Sequence, residues 1–168
     1  KFADNLNIDF FASPFHRDRF QWILDTDIKI NKIASSMIEW DLDFCRDMVG
    51  DGMLTYCSLG KWDKDEYPFK SSNVKYFHCV AKYPHTEEEA LDLMPEKFDN
   101  VLVGYSDHSI GIEACKEAVR RGATVIEKHF TTDKKLQCKT ESAHICSMTM
   151  NELRNLRDFC EKDRTTDQ

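Results

Sequence analysis

Residues 104–130 run Gly104-Tyr105-Ser106-Asp107-His108, then an amphipathic stretch from Ile110 to Arg121, then Val125-Ile126-Glu127-Lys128-His129-Phe130. A β-rich run, a helical pattern and a second β-rich run read as a parallel βαβ unit, and here each strand ends in a histidine. Side chains alternate along a strand, so Ser106 and His108 share one face, as do Glu127 and His129. Neighbouring strands lie about 4.8 Å apart. Two imidazoles on one face of adjacent strand ends could therefore both reach a single divalent ion at about 2.1 Å. The other reading is that each histidine caps its strand end by hydrogen bonds alone, and the pattern by itself leaves both open.

The same alternation extends outward in both directions. Further β-rich runs are Ile8–Ala12, Ile28–Ala34, Met53–Cys57, Val74–Val80 and Val101–Ser106, and the last is Thr124–Phe130. Helical patterns between them cover Arg17–Leu24, Ile38–Val49, Glu87–Phe98, Ile110–Arg121 and Asn151–Lys162. Thr86 with Glu89 predicts a capping box for the third of these, and Gly122 is a fitting stop for the fourth. Gly60 to Asn73 is polar without helical period and reads as a loop. Buried-type strands alternating with helices imply a parallel sheet covered by helices. Without a Gly-rich phosphate fingerprint, the expectation is an incomplete (β/α)8 TIM barrel rather than a Rossmann sheet. A full barrel needs about 200 residues or more, so roughly six of eight units are expected in one partial barrel domain spanning 1–168, with its active face at the strand C-termini.

Composition narrows the function. The 168-residue chain carries a net charge of −7, with 41% apolar and 32% charged residues. That balance argues against nucleic acid as a partner but leaves room for a local cationic pocket that binds a small anion. No apolar run reaches the length of a membrane span. Seven cysteines, none in a CxxC pair, suit neither a zinc module nor a disulfide framework and read as reduced thiols of a cytoplasmic protein. The opening Lys1-Phe2-Ala3-Asp4 lacks an initiator Met and any signal-peptide pattern, which reads as part of a longer chain.

Gly-Tyr-Ser-Asp-His-Ser-Ile-Gly-Ile-Glu from Gly104, followed by Val-Ile-Glu-Lys-His-Phe-Thr from Val125, resembles the paired signature of the sialic acid synthase family. That family includes the neuraminic, legionaminic and pseudaminic acid synthases. The similarity continues through Phe11-Ala12-Ser13-Pro14-Phe15, Lys32-Ile33-Ala34-Ser35, His78-Cys79 and Tyr83-Pro84. It covers about Phe10 to Leu156. The resemblance implies strands three to eight of the barrel, with the first two units and any C-terminal antifreeze-like domain outside the chain. It also implies condensation of phosphoenolpyruvate with an N-acyl amino sugar resembling N-acetylmannosamine, release of phosphate, a Mn2+ or Mg2+ cofactor and a homodimer of the full-length protein. Residues 1–168 alone would then be inactive.

On that resemblance His108 and His129 stand at the metal ligands, and Glu127 stands at a metal-site carboxylate. Lys32, beside Glu127 the other expected catalytic residue, matches a phosphate-binding lysine. Ser35, Ser58 and Ser106 match hydroxyls around phosphate and carboxylate, Ser13 stands where threonine is frequent, and Tyr83 matches a residue near the sugar. Several departures are visible, among them a shorter segment between Gly60 and His78. Ala81 replaces a polar side chain, Met37 replaces a polar or acidic one, and Gln137-Cys138-Lys139-Thr140 replaces Pro-Gly-Pro-Asp. Glu141 is the nearest acid for sugar binding, although counting back from Cys146-Ser147-Met148 places Ala143 there. His144 reads as a surface residue, with an extra ligand as the alternative. The competing functions are a truncated or diverged non-catalytic homologue and another metal-dependent aldolase-type barrel.

Overall fold

The computed structural model describes residues 2–136 and 142–166. The described residues form five strands, β1 (Ile30–Ile33), β2 (Leu54–Ser58), β3 (Val74–Cys79), β4 (Leu102–Asp107) and β5 (Val125–Lys128), with helices between them except from β2 to β3. They lie in one sheet whose order follows the sequence. The helices are α1 (Phe2–Asn5), α2 (Arg17–Leu24), α3 (Ser35–Trp40), α4 (Leu42–Gly50), α5 (Glu87–Leu93), α6 (Glu113–Arg120) and α7 (Met150–Thr166). The chain divides into two compact units, Lys1–Tyr76 and Phe77–Gln168, with the division inside β3.

In the first unit β1 and β2 pair in parallel, Lys32 opposite Tyr56 and Ile33 opposite Cys57. Asn31 points to the helix side, where its amide donates to the Met48 carbonyl at 3.0 Å and to Asp51 at 2.9 Å. Alternation then sends Lys32 to the opposite face. The expected helix over Ile38–Val49 is two helices. Asp41 breaks it with φ −149° and ψ 78°, and its carboxylate accepts from Phe44 N at 2.8 Å, as an N-cap aspartate does. Met37, Phe44, Cys45 and Met48 bury on this layer, and burial pushes the Cys45 thiol up to about 12.

Ile8–Ala12 is not a strand, so the described residues contain five strands rather than six. Ala12 makes a single parallel bridge to Asn31, while Ile8 and Phe10 remain 59% and 65% exposed. An apolar run becomes a strand only where it is paired and covered, and one bridge just before Ser13-Pro14 does not extend into a ladder. The segment from Gly60 to Asn73 contains neither helix nor strand, as its polar pattern predicts.

In the second unit β4 and β5 pair in parallel from Gly104 opposite Val125 to Asp107 opposite Lys128. Thr86 and Glu89 form the full capping box of α5. That helix ends at Leu93, not Phe98, because Met94 precedes Pro95 and takes an extended ψ of 133°, the conformation that a following proline favours. α6 closes on Gly122 at φ +96°. Tyr105 on the outer side of β4 packs with Ala90, Met94, Phe98, Ala114 and Ala118 from α5, α6 and their connections. Leu156 of α7 joins Ile112, Cys115 and Met148 in an adjoining cluster.

Gly104 marks the tightest approach in this unit. A β-carbon there would come within 2.6 Å of the Phe77 ring and 2.8 Å of the Val125 carbonyl oxygen, and the second is backbone that cannot step aside. Gly104→Ala is expected to destabilise the protein by about 1–3 kcal/mol, the range for an overpacked core. Urea denaturation of wild type and variant checks it; an unchanged midpoint would contradict this packing.

Candidate active site

Both histidines fall one residue beyond their strands, where the ladder ends. His108 is 7% exposed, whereas His129 is exposed. Their ring centroids lie 5.7 Å apart, close enough for the shared-ion geometry expected of adjacent strand ends. The Tyr83 ring lies against both, 3.9 Å from His108 and 5.9 Å from His129. Ser106 is buried on the His108 face, and Glu127 is half-buried on the His129 face.

The hydrogen bonds of His108 determine where its proton sits. Nδ1 is 3.0 Å from the Val80 carbonyl oxygen, which can only accept, so Nδ1 carries the hydrogen. Nε2 therefore presents its lone pair and accepts from the Tyr83 hydroxyl at 2.8 Å. Burial pushes this imidazole down to about 4, so it is neutral at pH 7. A neutral ring with Nδ1–H on a backbone carbonyl and a lone pair on Nε2 is the state in which histidine ligates metal. The donor chemistry of the pair fits a divalent ion. Among the described residues, no three His, Cys, Asp or Glu side chains gather as a metal cage. Cys79 Sγ lies 3.8 Å from His108 Nδ1, a contact that sequence spacing does not reveal.

On the opposite face of the same strand ends lies a buried ion pair between Asp107 and Lys128, neither side chain having exposed surface. Asp107 accepts from Tyr105 Oη at 3.0 Å, Ser109 N at 2.9 Å, Ser109 Oγ at 3.1 Å and Cys115 Sγ at 3.2 Å. Lys128 Nζ also donates to the Ser109 carbonyl at 2.8 Å. Burial alone would raise the Asp107 carboxyl, but the Lys128 ammonium and the Ser109 hydrogen bonds outweigh it and hold the group below its ordinary value. Removing one partner of such a pair costs about 3–5 kcal/mol, since the other charge stays buried.

In the first unit Lys32 is 3% exposed and reaches along its face to Ser58 Oγ at 2.8 Å and the Ile33 carbonyl at 3.1 Å. A buried ammonium beside a buried hydroxyl is suited to a small anion. Ser35 is half-buried in the first turn of α3, and Ser13 is half-buried just after the Ala12 bridge. Glu141 and Gln137–Thr140 lie outside the described residues. His144 is half-buried, with Nε2 2.9 Å from Thr131 Oγ1 and 3.1 Å from the Asp133 carbonyl, contacts that tie down its own loop.

His78 is pushed down to about 4, first by burial and then by nearby His85. In the folded protein His78 and His108 are therefore unprotonated, while in the unfolded chain they take up protons below about 6.5. The folded state binds fewer protons in that window, so stability is present above pH 6.5 and declines as pH falls toward 4. NMR of the imidazole carbons should show both rings unchanged between pH 8 and 5.5. An inflection near 6.5 for either would contradict the burial described.

Comparison with known proteins adds the family. The NeuB family model matches residues 1–166. N,N'-diacetyllegionaminic acid synthase of Legionella pneumophila is 29% identical over 170 residues, covering 92% of this chain and 46% of the relative. Pseudaminic acid synthase of Campylobacter jejuni is 33% identical over 147 residues, 80% of this chain and 42% of the relative. The crystal structure of N-acetylneuraminic acid synthetase from Leptospira borgpetersenii, in complex with citrate, superposes with a TM-score of 0.83 at 31% identity, over 98% of this chain and 60% of that one. The chain thus spans about half the length of the curated relatives it matches, and its α/β fold is similar to that of the synthetase. With the paired strand-end motifs in place and nearly every residue matched, the chain belongs to the NeuB family.

Proposed function

We propose that this chain is the barrel part of a synthase that condenses phosphoenolpyruvate with an N-acyl amino sugar to give a sialic or other nonulosonic acid and phosphate. The observation that carries the reading is the His108–His129 pair: two strand-end imidazoles 5.7 Å apart, one of them neutral with its Nε2 lone pair turned to the Tyr83 hydroxyl, which a bound ion would displace. Relatives that make legionaminic and pseudaminic acids support the kind of reaction. The complete protein closes an eight-stranded barrel, acts in the cytoplasm and is a homodimer.

Each cluster has its own part. Lys32 binds the phosphate of phosphoenolpyruvate, and the Ser58 hydroxyl, already bonded to the ammonium, turns to donate to a phosphate oxygen. Ser13 and Ser35 assist there, and Ser106 binds a carboxylate or phosphate oxygen. Tyr83 packs against the sugar, with Glu141 as the acid nearest in sequence for its hydroxyls. His108 and His129 would hold Mn2+ or Mg2+, which supplies Lewis-acid polarisation of the sugar aldehyde when bound. Glu127 beside His129 adds negative charge to that end. As the C–C bond forms between C3 of phosphoenolpyruvate and the aldehyde carbon, C2 becomes cationic and water adds there. Phosphate then leaves by C–O cleavage with its charge held by Lys32. The chain's contribution is positioning and charge stabilisation, with no covalent nucleophile.

In the full-length protein, His108→Ala and His129→Ala should each abolish metal-stimulated phosphate release. Lys32→Ala should weaken phosphoenolpyruvate binding roughly 10- to 150-fold, the equivalent of a charge-assisted contact of about 1.5–3 kcal/mol. Steady-state assays with several N-acyl amino sugars check both. Unchanged activity in the two histidine variants would refute the metal role, and affinity within twofold of wild type would remove Lys32 from the phosphate site.

A further inference from the structure

We propose that the buried Asp107–Lys128 pair is the positioning element that sets the spacing of His108 and His129. The β4–β5 ladder ends at Asp107 opposite Lys128. The two histidines are the next residues on each strand, and their carbonyls accept from His85 N at 3.4 Å and Met148 N at 2.7 Å respectively, bonds that run outward to other segments. At this same end of the ladder the ion pair links the two strands through their side chains. It is anchored on both sides of His108: Asp107 precedes the histidine, and Ser109, which follows it, bonds to Asp107 through both N and Oγ. Lys128, which precedes His129, bonds to Asp107 and to the Ser109 carbonyl. Cys115 brings α6 into the same carboxylate. His108 is thus held between two clamped residues, and His129 between Lys128 and Phe130, which bridges Met148. The charged pair on the helix-packed face bears on the geometry of the histidines on the other face.

Stability alone is a weak reason for such a pair, since well-packed apolar residues of similar volume serve a core at least as well. A directional, multiply bonded carboxylate does what apolar packing cannot: it fixes two strand ends at one separation. The inference rests on the reading of the two histidines as ligands of one ion, and it predicts that the outer pair tunes ion affinity without touching the ion.

The test uses the full-length protein and Mn2+, with free and bound ion distinguished by electron paramagnetic resonance and no assay of turnover. Asp107→Asn and Lys128→Met are compared with the double variant Asp107→Asn/Lys128→Met, which leaves no unpaired buried charge and so protects the fold. Leu156→Ala, a buried change in α7, is the control for general destabilisation. Well below the melting temperatures, the double variant and any single variant that folds should bind Mn2+ about 10- to 100-fold more weakly, the usual effect of removing support behind metal ligands. Phosphoenolpyruvate affinity in them, and Mn2+ affinity in Leu156→Ala, should stay within twofold of wild type. A folded double variant with wild-type Mn2+ affinity, alongside a His108→Ala variant that has lost it, overturns the positioning role while leaving the metal reading intact. Wild-type affinity in His108→Ala itself overturns both.

Discussion

One parallel register organises the second unit. Pairing Ser106 with Glu127 and Asp107 with Lys128 sends alternate residues of β4 and β5 to opposite faces. Ser106, Glu127 and the two histidines go to one side, and Tyr105, Asp107 and Lys128 go to the other. A slip of one residue would bury the histidines among the helices and turn the ion pair out of the core, so the register is strongly specified. Gly104 belongs to the same constraint, because only a residue without a side chain lets β4 lie this close to the Val125 carbonyl and the Phe77 ring.

Burial then converts position into chemistry. His108 is desolvated enough to stay neutral, and the Val80 carbonyl fixes its tautomer, so the lone pair points to the Tyr83 hydroxyl. Lys32 in the first unit is handled differently: buried, it donates to Ser58 and to a backbone carbonyl.

Much of this was legible in the sequence, for physical reasons that particular residues illustrate. The α2 boundaries, the Thr86–Glu89 capping box and the Gly122 stop follow from local patterns, which need no tertiary knowledge. The juxtaposition of His108 and His129 follows from period-two alternation and short strand spacing. Ile8–Ala12 misled because apolar content alone does not state whether a partner strand covers it. Asp41 was hidden inside an apolar helical period, and its capping bond divides that helix. The Asp107–Lys128 pair could have been read from the same alternation that paired the histidines, since each precedes one of them. Its five-way bonding through Tyr105, Ser109 and Cys115 could not. Cys79 beside His108 depends on where β3 ends, which spacing leaves open.

The claim on which the rest depends is that His108 and His129 ligate one divalent ion. Electron spin echo envelope modulation of Mn2+ bound to the full-length protein, prepared with 15N-labelled histidine, measures this directly. The account predicts modulation from two directly coordinated imidazole nitrogens, with one lost in His108→Ala and one in His129→Ala. A bound Mn2+ showing no histidine nitrogen coupling, or coupling that survives both substitutions, would contradict it.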